Sequence, residues 1–412
     1  MTGNSLAMRQ ATNPVHAGPA AGIPFGYRLL GNVMLALALV GYPLAAALSQ
    51  VGDFSGGELN IGYRGLVVAM SVLLALWSMS RGRYRIDPLI GVFFAAYSLR
   101  MIVDYSYSML PHIEEDFFFY LAVVLLPTLA LGCVRDWFDE KTLLKATLLV
   151  GGIAGVLVAY LLITGASTTN SNPNAVSRAA LEFLNPISIG YHGLFISVAA
   201  VVLLAKHRTQ AIVAPSIIAL IAGSYLLVAS CSRGPFVALL IGLVVTGAAN
   251  RHANATYVLA AAIIAGAVAY LGLPEGIINR FRDIDSDLSA LERLYAMQLS
   301  IEGALANLIV GYAYIEPVTG FYPHNLLIEA AMAIGIGGFL LMLAMQISLL
   351  VNAWRLASNG EWTLPFLAAA MFANAWISGS IWGSALFFML LWVIRERRNT
   401  APTPHPIPAR LG

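Results

Sequence analysis

Long apolar runs separated by short polar segments make up most of the chain. Runs of about 17–25 apolar residues are long enough to cross a bilayer as helices. Runs near this length are found at 29–48, 65–80, 88–103, 117–134, 146–164, 186–205, 211–229, 236–249, 255–273 and 325–353. A last run, 364–394, is interrupted by Ser378-Gly379-Ser380, which predicts two shorter spans joined by a tight turn. The pattern predicts an all-α integral membrane protein with about twelve transmembrane helices.

Composition supports this class and excludes others. Hydrophobic residues make up 59% of the 412 residues and charged residues only 11%, whereas a soluble globular domain has about 25% charged residues. The net charge is +2, and the Lys and Arg residues are scattered singly along the chain. A nucleic-acid-binding protein would gather such residues on one face. Membrane lipids are therefore the expected surroundings, and nucleic acid is excluded as a partner.

The distribution of positive charge predicts the topology. An even number of spans places both termini on one side, and the loops richest in Lys and Arg mark that side as the cytoplasm. All three lysines fall on it. The outward side carries seven of the 23 basic residues, all of them arginines: Arg64, Arg100, Arg178, Arg233, Arg280, Arg282 and Arg293. Guanidinium presents a fixed fork of donors that matches carboxylate or phosphate, although lysine is rare enough here for this bias to arise by chance.

The spans form one predicted domain between polar ends. Residues 1–27 and 397–412 are rich in turn-forming residues and predict a disordered cytoplasmic lead and a cytoplasmic tail. Residues 28–396 form a single transmembrane domain with outward loops at 165–185, 230–235 and 274–324. The last of these, between spans 9 and 10, is long enough to form a small subdomain and is the strongest candidate for a functional loop.

Two of the outward loops contain an arginine in a constrained setting. Asn172-Pro173-Asn174 predicts a turn shortly before Arg178, which either holds a phosphate or is a snorkelling arginine at the interface. In the very short loop, Ser232 and Arg233 stand directly before a span. Backbone N–H groups at a helix start favour anions, so this turn predicts an anion site, although any tight outer turn can contain one arginine.

The third loop combines helical spacing with charged residues. Leu288 to Leu308 has the spacing of a helix and contains Arg293. The acidic run Asp283 to Asp287 lacks the glycine and terminal glutamate of a calcium loop. The seven histidines are also dispersed, without the close spacing of metal ligands. We therefore predict neither a metal site nor a cofactor.

His324 is the strongest candidate for proton transfer. It stands in Pro323-His324-Asn325, immediately before a long span. The positive potential of a helix start should lower the pKa of this histidine and keep the ring neutral, the form that a general base requires. A lone histidine at an interface is more often structural, and only the neighbouring arginine motifs favour catalysis.

Several other polar residues are candidates for lining the same site. Tyr322, Asn325 and Ser232 adjoin the motifs already described. His192 and Glu329 are the ionisable residues nearest the interior of the spans, where such groups face the bundle or a cavity; both have an equally good structural interpretation. Arg100 and Asp104, four residues apart, are expected to pair.

Three motifs in order resemble a known family. SRGP in a short outer turn, ERLYAMQLSIEGALANLIVGYAY, and HNLLIEAAMAIGIGG are similar to the O-antigen ligase and polymerase superfamily, in which a periplasmic loop ends in a His-Asn pair before a glycine-rich helix. The resemblance covers roughly residues 160–345. It implies a multi-pass glycosyltransferase of a bacterial inner membrane, with its active site at the periplasmic face, that uses neither metal nor nucleotide sugar.

The resemblance also implies roles for residues and substrates. Arg178, Arg233 and Arg293 would bind the diphosphate of an undecaprenyl-diphosphate-linked glycan, and His324, with Arg233, would act in catalysis. The implied reaction is transfer of the glycan to a lipid A-core acceptor by an O-antigen ligase, in lipopolysaccharide biosynthesis. A polymerase, which uses a second lipid-linked glycan as acceptor, is the alternative. A lipid-linked glycan flippase or transporter is the third, and the oligomeric state is left open.

Overall fold

The structure, a computed structural model, describes residues 24–52, 58–81, 86–107, 110, 112–132, 137–165, 180–207, 209–249 and 288–400. This part of the chain is helical, with no named β-strand. Eight of its helices are long and apolar enough to cross a membrane. The fold is thus that of an all-helical, membrane-embedded protein.

The helices follow one another with short connections. The eight long ones are α1 (Phe25–Val51), α2 (Glu58–Ser80), α3 (Pro88–Tyr107), α4 (Ile113–Gly132), α5 (Glu140–Ile163), α6 (Pro186–Lys206), α7 (Gln210–Ala229) and α10 (Leu326–Ser358). The shorter ones are α8 (Arg233–Ala249), α9 (Leu288–Ala306), α11 (Thr363–Ile377) and α12 (Ala385–Thr400). A π-helical turn, Tyr120–Leu125, interrupts α4.

Two segments predicted to be helical in the last third of the chain are confirmed as helices. The run 364–394 forms two helices, α11 and α12, and the connector between them contains a 3₁₀ turn at Ile381–Gly383. The helical spacing of the third loop corresponds to α9. The predicted span 255–273 and the acidic run Asp283 to Asp287 lie outside the described residues.

Close backbone contact fixes α6 against α7. A Cβ atom added at Gly193 would lie 2.5 Å from the Gly223 carbonyl oxygen, and one added at Gly223 would lie 2.7 Å from that of Gly193. Small residues let membrane helices approach this closely, where van der Waals contact replaces the hydrophobic driving force. Because α7 leads through a short turn into α8, this contact also positions the turn before α8.

Helix α10 is broken within its apolar sequence at Gly335. This residue has φ 72° and ψ −157°, outside helical values. The backbone groups near the break bond to the preceding segment: Ile336 N donates to Leu308 O (2.7 Å) and Tyr312 N to Met332 O (2.8 Å). Irregular backbone at membrane depth is tolerated only where other protein groups satisfy it. The segment after α9 therefore fills the break in α10.

Replacing Gly335 by alanine is expected to lower the free energy of unfolding by about 2–4 kcal/mol. A Cβ there would lie 2.4 Å from the Ile309 carbonyl oxygen, on a backbone conformation that only glycine adopts readily. Thermal unfolding of the purified protein in detergent would measure the loss.

Gly337 provides the matched control for this substitution. It lies two residues further along α10, is exposed, and has nothing within 4 Å of an added Cβ. Gly337→Ala should leave the unfolding temperature unchanged or raise it slightly, since alanine favours the helix. Equal unfolding temperatures for the two variants would contradict the structural role of the break.

Candidate active site

Several of the predicted site residues line a cavity of about 480 Å³. Its polar lining comes from Ser232, Arg233, Arg293, His324 and Ser378. The other lining residues are small or apolar: Ile187, Gly234, Val237, Ala290, Leu294, Met297, Pro323, Trp376 and Ile377. The starts of α6, α8 and α10 and the end of α11 all contribute to it. The cavity therefore lies at one end of the bundle and joins cationic groups to apolar walls.

Arg233 reaches the cavity from a tight turn. It is the first residue of α8, and Pro235 follows within the first turn of that helix. The turn has Cys231 at φ 44°, and Ser232 N donates to Ser230 Oγ (3.3 Å). A non-glycine residue at positive φ is uncommon and tends to mark functional sites. The start of α8 thus points its N-terminal potential and one guanidinium at the same space.

Arg293 reaches the cavity from a different helix. It lies in the second turn of α9, with Ala290, Leu294 and Met297 beside it on the lining face. This spacing of three and four residues is that of one helix face. The two arginines therefore stand on separate helices, and apolar side chains of α9 continue the wall past Arg293.

A buried carboxylate shapes the loop that presents His324. Glu316 is 2% exposed, and its side chain accepts bonds from Val318 N (3.0 Å) and Thr319 N (2.6 Å). Glu316 N in turn donates to Phe321 O (3.0 Å). These bonds close the loop just before Tyr322, so the backbone that leads to His324 is held by local contacts.

His324 itself is fixed by contacts on several sides. Its backbone has φ 55°, and its ring lies 4.2 Å from that of Tyr322. The ring also bonds to the backbone of Ser378. Within the described part of the chain Nδ1 has no hydrogen-bond partner, so the bond to Ser378 uses the other ring nitrogen. Asn325 caps α10 by accepting from Leu327 N (2.9 Å).

The environment of His324 keeps its ring neutral. Burial, reinforced by the positive charge of Arg293, lowers the pKa of His324 from 6.5 to about 4. The predicted direction, a lowered pKa, is confirmed. The folded state should lose stability as the pH falls from 6.5 to about 4, since the unfolded ring binds a proton that the folded ring resists.

This lowered pKa predicts an unusual pH dependence. If His324 acts as a base, kcat/KM should stay level as the pH falls below 6.5 and decline only near pH 4. Arg293→Gln should raise the pKa of His324 and move the decline to higher pH, whatever its effect on the rate. Initial rates across the pH range would test both points, and a wild-type decline centred near 6.5 would contradict them.

Glu329 lies outside the cavity and supports one of its walls. It is fully buried; Tyr97 Oη donates to its Oε1 (2.9 Å) and Ile381 N to its Oε2 (2.9 Å). These bonds tie α10 both to α3 and to the connector after α11. Ser378 begins that connector and bonds the His324 ring. Glu329 therefore acts on the site indirectly, by holding the connector in place. It does not line the cavity as predicted.

The remaining predicted residues lie either away from the cavity or outside the described residues. His192 is buried in α6, where Nε2 bonds to the Gly151 carbonyl (3.1 Å), and it does not line the cavity as predicted. Arg178 lies outside the described residues. Arg100 and Asp104 pair as predicted, and Asp104 also accepts from Tyr314 N (2.9 Å). They stabilise the segment after α9.

Sequence reasoning missed several residues that line the cavity. Ser378 and Trp376, at the end of α11, form a wall of the cavity, and Met297 continues the wall formed by α9. The interruption of the last apolar run at Ser378 was the only signal among them. Nothing local in the sequence shows that the end of α11 meets the start of α10.

No family model, no curated protein and no solved structure matches this chain.

Proposed function

We propose that the protein is a glycosyltransferase that moves a glycan from undecaprenyl diphosphate to an acceptor hydroxyl at the outer face of a bacterial inner membrane. The acceptor that we favour is lipid A-core, which would make the protein an O-antigen ligase. The cavity is the observation that carries the proposal, because it combines two arginines, a neutral histidine and apolar walls.

The lining of the cavity suits a lipid diphosphate. Arg233 and Arg293 offer planar donors that match phosphate oxygens. Leu294, Met297 and Val237 offer apolar contact for the first isoprene units. A volume of about 480 Å³ lies within the usual range for small-molecule sites, so a diphosphate with the adjoining parts of its sugar and lipid is a reasonable occupant.

The chemistry assigned to the residues is a single displacement. The acceptor oxygen attacks the anomeric carbon, the bond from that carbon to the diphosphate oxygen breaks, and the hydroxyl proton passes to His324. Its Nδ1, which lacks a partner in the described part of the chain, can accept that proton because the other nitrogen is engaged by Ser378. The arginines stabilise the charge that develops on the leaving diphosphate. No metal is required in this scheme.

The proposed topology has twelve spans with both termini in the cytoplasm. Helices α6, α8 and α10 begin at the cavity, whereas α11 ends there, which is what alternating spans with a site at the outer ends would give. The short helices α8, α11 and α12 and the predicted span 255–273 would complete the number.

Transport is the second candidate, and one observation favours it. Broken helices such as α10 form substrate sites near the midplane in many transporters. Here the backbone groups at the break are bonded to Leu308 and Tyr312. The buried ionisable residues Glu329 and His192 are also bonded to protein groups. The break therefore supports structure, and the cavity at the helix ends is the better candidate site.

A reconstituted transfer assay tests the proposed function. Purified protein in detergent would receive undecaprenyl-diphosphate glycan and EDTA, with lipid A-core supplied or withheld. Product that requires lipid A-core and is lost in Arg233→Ala would support the ligase. Lengthened glycan on undecaprenyl without core would indicate the polymerase. Movement of the lipid-linked glycan across vesicles, without transfer by folded protein, would indicate transport.

A further inference from the structure

Arg64 is an outward arginine that the proposed donor site does not use. It lies in the second turn of α2, half-buried, and its guanidinium carbon is 4.7 Å from the centre of the Phe119 ring. Such stacking holds a guanidinium in place while leaving its edge available to an anion. Within the described residues Arg64 forms no ion pair with a carboxylate. A fixed positive charge thus stands near the outer ends of α2 and α4.

A continuous group of aromatic rings leads from Arg64 to His324. The Phe119 ring meets Trp382 edge-on (5.8 Å, 83°), and Trp382 meets Tyr322 edge-on (5.9 Å, 89°). Tyr322 then contacts His324 (4.2 Å). We call Phe119, Trp382 and Tyr322 the aromatic shelf. None of its members lines the cavity with the two arginines, so His324 contacts the shelf as well as that cavity.

The polar atoms of this region are incompletely satisfied. In the part of the chain that the structure describes, neither Trp382 Nε1 nor His324 Nδ1 has a hydrogen-bond partner, and both atoms are buried. Buried polar groups are normally bonded, so an unsatisfied donor invites a specific explanation such as a ligand. The two atoms belong to the two rings that contact Tyr322. Both unsatisfied atoms therefore lie within the group that the shelf forms with His324.

The chemistry of the shelf matches a phosphorylated sugar. Aromatic rings pack against the apolar faces of sugar rings, and an indole N–H adds a donor for a hydroxyl. Arg64 adds a fixed cation for an anionic substituent. We propose that the aromatic shelf and Arg64 form the acceptor subsite and hold a phosphate-bearing sugar of the acceptor next to His324. This inference rests on the proposed function.

The alternative is that these rings only pack together or anchor the protein at the membrane interface, where aromatic residues are common. Two tryptophans separate the alternatives: Trp376 in the last turn of α11 and Trp382 in the connector that follows. Trp376 lines the donor cavity, whereas Trp382 belongs to the shelf. Trp376→Leu is therefore a matched control that removes the same ring from the donor side of His324.

The test compares these variants in the transfer assay with each substrate varied in turn. Trp382→Leu should raise KM for lipid A-core about tenfold and leave KM for the lipid-linked donor unchanged. Trp376→Leu should raise KM for the lipid-linked donor and leave KM for lipid A-core unchanged. Arg64→Gln should raise KM about tenfold for phosphorylated core, with no change for enzymatically dephosphorylated core. Unchanged acceptor KM in both Trp382→Leu and Arg64→Gln, or equal rises for both substrates, would overturn the proposal.

Two additions keep the test decisive. Trp382→Phe retains an aromatic ring and should recover most of the acceptor affinity, whereas loss of folding would lower the unfolding temperature of both Trp382 variants. Equilibrium binding of fluorescent lipid A-core, without donor, separates this inference from the proposed function. Binding that is about tenfold weaker in Trp382→Leu than in wild type supports the subsite even if transfer fails, and absence of binding to wild type overturns it.

Discussion

His324→Ala is expected to lower kcat/KM for glycan transfer by about 10²–10⁴-fold, the usual contribution of a general base. The loss follows from the position of the ring, which is neutral, bonded to the Ser378 backbone and exposed to the donor cavity. Binding of the lipid diphosphate should be largely retained, because the arginines stay in place. Steady-state kinetics with both substrates, combined with donor-binding measurements, would show the two effects separately.

His112→Ala is the control for this substitution. His112 also has a left-handed backbone (φ 61°), at the start of α4, but its side chain is 76% exposed and lies outside the cavity. It should therefore keep wild-type activity. If folded His324→Ala retained more than about a tenth of the rate, proton abstraction by His324 would be refuted, and the ring would have at most an orienting role.

Arg233→Gln and Arg293→Gln should each lower kcat by about 10²–10³-fold. Each removes one planar cation from the wall that would contact the proposed diphosphate leaving group, and glutamine preserves much of the size without the charge. Because both arginines act on one leaving group, the double variant should lose less than the product of the single losses. Single-turnover rates with bound donor would isolate the chemical step.

Lysine substitutions refine this prediction. Arg233→Lys should restore only part of the activity, because a lysine offers a point charge and lacks the bidentate fork. Arg355, exposed in the last turn of α10, serves as the control; Arg355→Gln should behave as wild type. Full activity in both glutamine variants of the site would rule out the diphosphate role and favour an uncharged ligand in the cavity.

Three residues of the candidate site could be predicted from the sequence. Arg233, Arg293 and His324 are far apart in the chain, yet the structure brings all three to one cavity. The signal was the same in each case: an arginine or histidine in a segment predicted to face outward, where the positive-inside rule predicts few positive charges. A predicted membrane topology limits the candidate site residues to the polar residues at one membrane face, and these are few.

Features that depend on backbone conformation or on distant partners could not be predicted. The break in α10 falls in an apolar run that continues past Gly335. The hydropathy of this run therefore predicts one unbroken span. The roles of Glu329 and His192 depend on Tyr97, Ile381 and Gly151. No rule of sequence spacing predicts these hydrogen bonds, because the position of one residue does not indicate which distant residue it will bond.

The break in α10 also bears on the order in which the molecule assembles. The half-helix 326–334 is shorter than the about 20 residues that a helix needs to cross a bilayer, and the segment from Leu308 to Tyr312 completes the hydrogen bonding at the break. We therefore expect His324 to reach its final place after that segment has docked. A newly inserted chain would contain all of its spans before it contains a working site, so activity should mark the last stage of its maturation.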